Sequence, residues 1–193
     1  MHVTGFVFYN GTTGLTPELE DFLTAGPSPL VFTLGTSAVG AAGRFYHESL
    51  AAARRLEMRA VLLTGGFAEN QPADANGVDM LLVDGAPHQL LFPRAAAIVH
   101  QGGIGTTGQA LRSGRPMIVV PHAHDQPDNA FRAQSLGVAR TIFPRKYRAE
   151  RVVRETERVL RDKKYARRAG EVAEAVRAEG GADAAARALE TLA

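Results

Sequence analysis

A chain of 193 residues, 45% hydrophobic and 22% charged, has the make-up of one globular domain large enough to build its own core. It contains no cysteine, which excludes a disulfide scaffold, a zinc ribbon and thiol catalysis and fits a reducing cytoplasm. The net charge of +2 hides an asymmetry: residues 1–143 carry nine Lys/Arg against eleven Asp/Glu, and residues 144–193 thirteen against nine. Signs alternate along that tail (Arg154, Glu155, Glu157, Arg158, Arg161, Asp162), the pattern of a solvated helix face rather than a nucleic-acid surface.

The apolar runs Leu30–Leu34 and Met117–Pro121 are too short to cross a bilayer. The opening Met1-His2-Val3-Thr4-Gly5 has neither the charged nor the apolar region of a secretory signal. Glycines and prolines punctuate residues 1–29, which read as a linker with one short helix, Pro17–Thr24. Leu30–Leu34, ended by Gly35, is then a first buried strand. A helix over Arg44–Glu57 leads to a second strand, Ala60–Thr64, stopped by Gly65-Gly66, and Asp79–Val83 is a weaker third. In the Pro87–Arg94 segment Leu90, Leu91 and Phe92 read as core residues of a short helix. Ala95–His100 is a fourth strand, followed by a Gly-rich turn and a helix to Ser113. Met117–Pro121 is a fifth strand, Asp128–Leu136 a helix and Val138–Ile142 a sixth strand. Helices near Arg148–Arg161, Lys164–Ala178 and Ala182–Leu192 complete the chain. Strands alternating with helices predict a Rossmann-like α/β domain: a parallel six-stranded sheet covered on both faces over 30–143, with a helical C-terminal tail over 144–193.

In such sheets ligands bind beyond the carboxyl ends of the strands. The unusual residues cluster there: Gly35-Thr36-Ser37, Gly65-Gly66, His100–Gly108 and His122–Asn129. In His100-Gln101-Gly102-Gly103-Ile104-Gly105-Thr106-Thr107 the glycines let main chain approach a ligand, and the N–H groups of a helix start favour an anion. Threonine hydroxyls and the ring N–H of His100 add donors, making a phosphate cradle. Gly103–Gly108 also satisfies the dinucleotide fingerprint G-x-G-x-x-G, with an acidic residue further on at Asp125. That fingerprint normally follows the first strand of its sheet, whereas here it follows the fourth. No G-K-[ST] occurs, so a P-loop is excluded. His122-Ala123-His124-Asp125-Gln126 admits three readings: a metal site with His100, sugar-hydroxyl recognition by Asp125 and Gln126, or helix capping by Asp125. His2 and His47 read as surface residues.

The block from Ala86-Pro87-His88 through Phe92-Pro93-Arg94, His100–Thr107, Ala110-Leu111, Gly114-Arg115-Pro116 and Val120-Pro121 to Asp125–Ala130 resembles the nucleotide-sugar-binding half of a GT-B glycosyltransferase. The likeness is to the bacterial macrolide, glycopeptide and sterol branch, related to the UDP-glucuronosyltransferases, and includes Leu34-Gly35-Thr36. It implies that His100, Gly102, Gly103, Ile104, Gly105, Thr106 and Thr107 bind a diphosphate with help from Thr36. Ala86 and Pro87 would line the base pocket, Gln109 would stand at the ribose, and Asp125 and Gln126 would hold the donor sugar. Gly85 stands near the position where many relatives carry a base-stacking Trp, and Gln109 where many carry Glu. The implied activity is inverting, metal-independent transfer of a hexose from a UDP- or TDP-sugar to a small lipophilic acceptor, with no cofactor. The acceptor site and catalytic base are expected on an N-terminal domain that this chain lacks, so no catalytic residue is expected here and the chain alone should not turn over. The alternatives are a stand-alone nucleotide-binding module and half of a dinucleotide-dependent oxidoreductase.

Overall fold

A computed structural model describes residues 2–9, 11–73, 75 and 77–191. Six short strands, β1 (Leu30–Thr33), β2 (Ala60–Leu63), β3 (Met80–Val83), β4 (Ala97–His100), β5 (Met117–Val119) and β6 (Ala139–Thr141), form one parallel sheet in the order β3-β2-β1-β4-β5-β6. This is the doubly wound arrangement, whose direction of winding reverses between β1 and β4.

Side chains alternate across the sheet and sort the core into two layers. Leu30, Phe32, Leu62, Val99 and Ile118 face one way, against α3 (Phe45–Arg55) and α7 (Ala149–Arg161). Val31, Val61, Ile98, Met117 and Val119 face the other. There they meet α1 (Pro17–Thr24), α4 (His88–Leu91), α5 (Ile104–Ser113), α6 (Gln126–Ser135) and α8 (Lys163–Arg177). The tail therefore belongs to the same core: α7 packs on α3 and α8 on α5. A last helix, α9, spans Gly181–Glu190; the expected end at Leu192 lies outside the described residues. Among those residues no helix is long and apolar enough to cross a membrane.

After β1 the chain turns sharply, because Gly35 takes φ +57°, into a short helix, α2 (Gly35–Ala38). Three local expectations are corrected. Helix α6 begins at Gln126, earlier than the expected Asp128, since Pro127 supplies a helix-ready φ at its first turn. Leu90 points to solvent while Leu91 and Phe92 are fully buried, because a single helical turn cannot aim three consecutive residues at one core. Glu155 is buried rather than solvated: its carboxylate accepts from Arg140 Nε of β6 at 3.0 Å and pairs with Arg151 at 3.2 Å. A buried charge is retained only when it is paired in this way.

The opening segment is laid against the domain. The Phe6 main-chain N–H donates to Glu179 Oε2 at 2.9 Å, Phe6 and Phe8 stack, and the Arg112 guanidinium lies 4.4 Å from the Phe8 ring centre. Phe6 can come this close because position 108, in mid-helix, is glycine; a Cβ there would stand 2.7 Å from its ring.

Candidate functional site

A cleft of about 970 Å³ opens along the carboxyl ends of β3, β2, β1 and β4. It joins residues far apart in sequence: Thr36 after β1, Ala86 and Pro87 after β3, and Gly105, Thr106 and Gln109 on the first turns of α5. The opening segment (Phe8, Tyr9, Thr13 and Thr16) supplies another wall. Residues expected to act only as a linker thus help enclose the site.

The Gly-rich turn has two jobs, divided among its glycines. Gly102 (φ +89°) and Gly35 have no room for a side chain: a Cβ on the first would lie 2.7 Å from Val119 Cγ1, and on the second 2.3 Å from Gln101 Nε2. A Cβ on Gly103 would lie 2.8 Å from the same Gln101 nitrogen. Gly35 and Gly103 let the loops after β1 and β4 close on the buried Gln101 amide, while Gly102 lets the turn pack against β5 and the start of α6. Around Gly105, by contrast, no protein atom lies within 4 Å of where a Cβ would stand. It sits at the start of α5, whose N-cap Gly103 offers no side-chain acceptor. The first-turn N–H groups of Ile104, Gly105 and Thr106 thus lack intrahelical partners and carry the positive end of the helix dipole. Thr106, which accepts from Gln101 Nε2 at 3.4 Å, lines the cleft beside them.

His100 takes a different place from the one expected. As the last residue of β4 it shares a face with Ile98 and points into the core beneath α5, fully buried. Its Nδ1 accepts the Gly102 N–H at 3.1 Å, so the proton is on Nε2, which faces Met117 Sδ at 3.3 Å. Burial, with a smaller repulsion from His88, lowers its pKa to about 3. The ring orders the turn rather than reaching into the cleft. Thr107 is also buried, its hydroxyl without a partner.

The second loop is likewise corrected. Asp125 occupies the N-cap position of α6, but with helical φ and ψ its carboxylate does not cap; it accepts from Asn129 Nδ2 at 2.7 Å. Gln126 is buried, and its Oε1 accepts the main-chain N–H groups of His122 (2.8 Å) and Ala123 (3.2 Å). Its Nε2 donates to Ser37 Oγ at 3.3 Å, tying this loop to α2. Replacing Gln126 by Leu should therefore cost about 1–3 kcal/mol of stability through two unsatisfied N–H groups, read as a shift of the urea midpoint. His122, a candidate metal ligand by sequence, has its Nδ1 against the Val120 carbonyl at 2.7 Å. Among the described residues no three His, Asp or Glu side chains converge on one point.

Two lining residues carried no signal strong enough to be singled out from the sequence: Phe67 and Asp84, from the loops after β2 and β3. His88, part of the resembling block but assigned no role there, lines the cleft too; its ring stacks on Phe92 and burial lowers its pKa to about 4. Gln109 lines the cleft with a buried Oε1 that lacks a partner.

Comparisons with known proteins give this fold a class: it is one Rossmann-like half of a GT-B glycosyltransferase. The profile of the family described as "Erythromycin biosynthesis protein CIII-like, C-terminal domain" matches residues 65–192, and the chain belongs to that family. It is 37% identical over 184 residues to the O-mycaminosyltylonolide 6-deoxyallosyltransferase of Streptomyces fradiae, which covers 94% of this chain and 42% of that protein. It is 41% identical over 124 residues to the vancomycin aglycone glucosyltransferase of Amycolatopsis orientalis (64% and 30%). The solved structure of the spinosyn rhamnosyltransferase SpnG complexed with thymidine diphosphate superposes with a TM-score of 0.74 at 23% identity, covering 97% of this chain and 51% of that one. The chain thus spans about half or less of the length of the proteins it matches. The oxidoreductase alternative finds no support in these relatives.

Proposed function

We propose that this domain binds the nucleoside-diphosphate-sugar donor, a UDP- or TDP-sugar, of a hexosyl transfer that proceeds with inversion to a small lipophilic acceptor. The carrying observation is Gly105. It lies at the mouth of the cleft, on the first turn of a helix without a side-chain cap, where a side chain would meet nothing. A helix interior prefers Ala to Gly by up to about 1 kcal/mol, so a glycine with open space around it serves something other than folding. Close approach of an anion to the N–H groups is that use.

The diphosphate then rests on the first turn of α5 with the Thr106 hydroxyl, and Thr36 approaches from the α2 side. His100, Gly102 and Gly103 hold the shape of the turn, Ile104 contributes its N–H, and Thr107 stands behind. Ala86 and Pro87 border the base, and the buried Gln109 Oε1, which has no partner, is the acceptor left for a ribose hydroxyl once that side chain turns towards the cleft. Asp125, at the surface, is left to meet the sugar, with Gln126 holding its loop. As the bond to the sugar breaks, charge gathers on the leaving diphosphate, where the helix dipole and hydroxyl donors stabilise it. These are hydrogen-bond donors suited to a bare anion, and the reading needs no metal or other cofactor. The relatives are named for transfer of a 6-deoxyallosyl and a glucosyl group, which supports a sugar donor, and their greater length supports a further domain that binds the acceptor and supplies the base. The lack of cysteine fits a cytoplasmic setting.

Gly105→Ala tests the reading. The variant should be more stable to urea by up to about 1 kcal/mol, yet bind UDP or TDP at least several-fold more weakly in calorimetry. Unchanged affinity, or protection by NADH in preference to either diphosphate, would overturn it.

A further inference from the structure

The cleft has a chemical gradient along its length, and this orients a nucleotide within it. At the α5 end stand unpartnered N–H groups and hydroxyls. At the far end the lining is Leu63 and Phe67, two strands away, Asp84, three strands away, and Val39, which reaches Gly65 from the loop after β1. Asp84 is the only charged side chain among the described residues that line the cleft. Strand spacing puts the loop after β2 about 10 Å from the loop after β4, room for a ribose between a base and its phosphates. A diphosphate is repelled from Asp84 and drawn to α5, so the uncharged base takes the Phe67 end.

The aromatic residues that line the cleft are not equivalent. Phe8 is stacked on Phe6 and covered by Arg112, and His88 is stacked on Phe92. Tyr9 stands 87% exposed, with little wall behind it. Phe67 is 38% exposed and has no ring partner among the described residues. Its ring rests against Gly40 and Gly65: a Cβ on either would lie 3.8 Å or 3.2 Å from it. The loop that carries it is fixed by main-chain bonds from Thr64 N–H to the Val83 carbonyl (2.9 Å) and from Gly65 N–H to the Asp84 carbonyl (2.8 Å). Gly85, beside Asp84 in the cleft lining, has no protein atom within 4 Å of its would-be Cβ.

We infer that Phe67 is the face on which the nucleobase of the donor stacks, and that it supplies base affinity independently of the diphosphate cradle. The inference rests on the donor-binding reading above and goes beyond it by naming the residue that meets the base. Base–aromatic stacking is sequence-tolerant and its loss is measurable, so Phe67 should act alike on UDP and TDP.

Calorimetry with UDP, TDP and inorganic pyrophosphate separates the possibilities. Phe67→Ala should weaken UDP and TDP binding roughly tenfold and leave pyrophosphate unchanged. Phe67→Trp introduces the chain's sole tryptophan, whose emission UDP should quench and pyrophosphate should not. Phe67→Ala that binds UDP like the parent, or loses UDP and pyrophosphate equally, overturns the stacking role. A parent chain that binds pyrophosphate but gains nothing from the nucleoside does so as well. If the parent binds none of the three, the donor-binding reading falls first, and this one with it.

Discussion

Gly102→Ala is expected to cost the domain on the order of 2–5 kcal/mol, a large part of a typical stability. Two independent penalties add. At φ +89° an L-residue is strained by roughly 1–2 kcal/mol. The new methyl would also stand 2.7 Å from Val119 Cγ1, at the end of β5, and 3.2 Å from the Gln126 carbonyl. Neither neighbour is a flexible tip: Val119 is a fully buried strand residue, and forcing volume into such a core costs roughly 1–3 kcal/mol. Relief by moving the turn would pull the Gly102 N–H from His100 and the Gly102 carbonyl from Asn129 Nδ2, which bonds it at 2.9 Å. Urea unfolding with an unchanged slope and a much lower midpoint is the expected result. Set beside Gly105→Ala, it assigns two glycines of one motif opposite signs, and equal effects from the two would contradict the division of labour.

The second large effect is acid lability. His88 and His100 are held neutral by burial, with pKa values lowered to about 4 and about 3, while the unfolded chain titrates near 6.5. The unfolded state therefore binds more protons between those limits, and stability rises with pH across that window. It is fully present above about pH 6.5 and lost progressively as pH falls towards 4 and then 3. Between pH 7 and pH 5 each histidine should remove about 2 kcal/mol, and mutual repulsion keeps the pair from charging together. Urea midpoints at pH 7 and pH 5 read the sum. His88→Leu should remove about half of the slope, and a stability flat over that range would mean that neither ring is buried neutral. Because His100 accepts the Gly102 N–H through Nδ1, protonation also breaks the bond that shapes the cradle. Nucleotide binding should fall with stability rather than before it.

The hydrophobic runs and their glycine stops determined the sheet. All six strands lie where short β-rich segments end in Gly, Pro or a polar cluster, and the alternation of strand and helix dictated a parallel, doubly wound order. The cradle was legible too, because three glycines and two threonines opening a helix are a local arrangement that needs no distant partner. Tertiary structure decided which of those residues face a ligand. Strand alternation turned His100 into the core with Ile98, and hydrogen bonds of the Gln126 amide to Ser37 and to the His122 and Ala123 main chain committed a side chain that looked free for a sugar. The walls of the cleft were equally hidden. Phe8, Phe67 and Asp84 come from three segments separated by tens of residues, and nothing local marks a side chain as lining a space. Spacing along a chain reports the bonds of a helix turn or a strand; a cleft is defined by the rest of the fold around it.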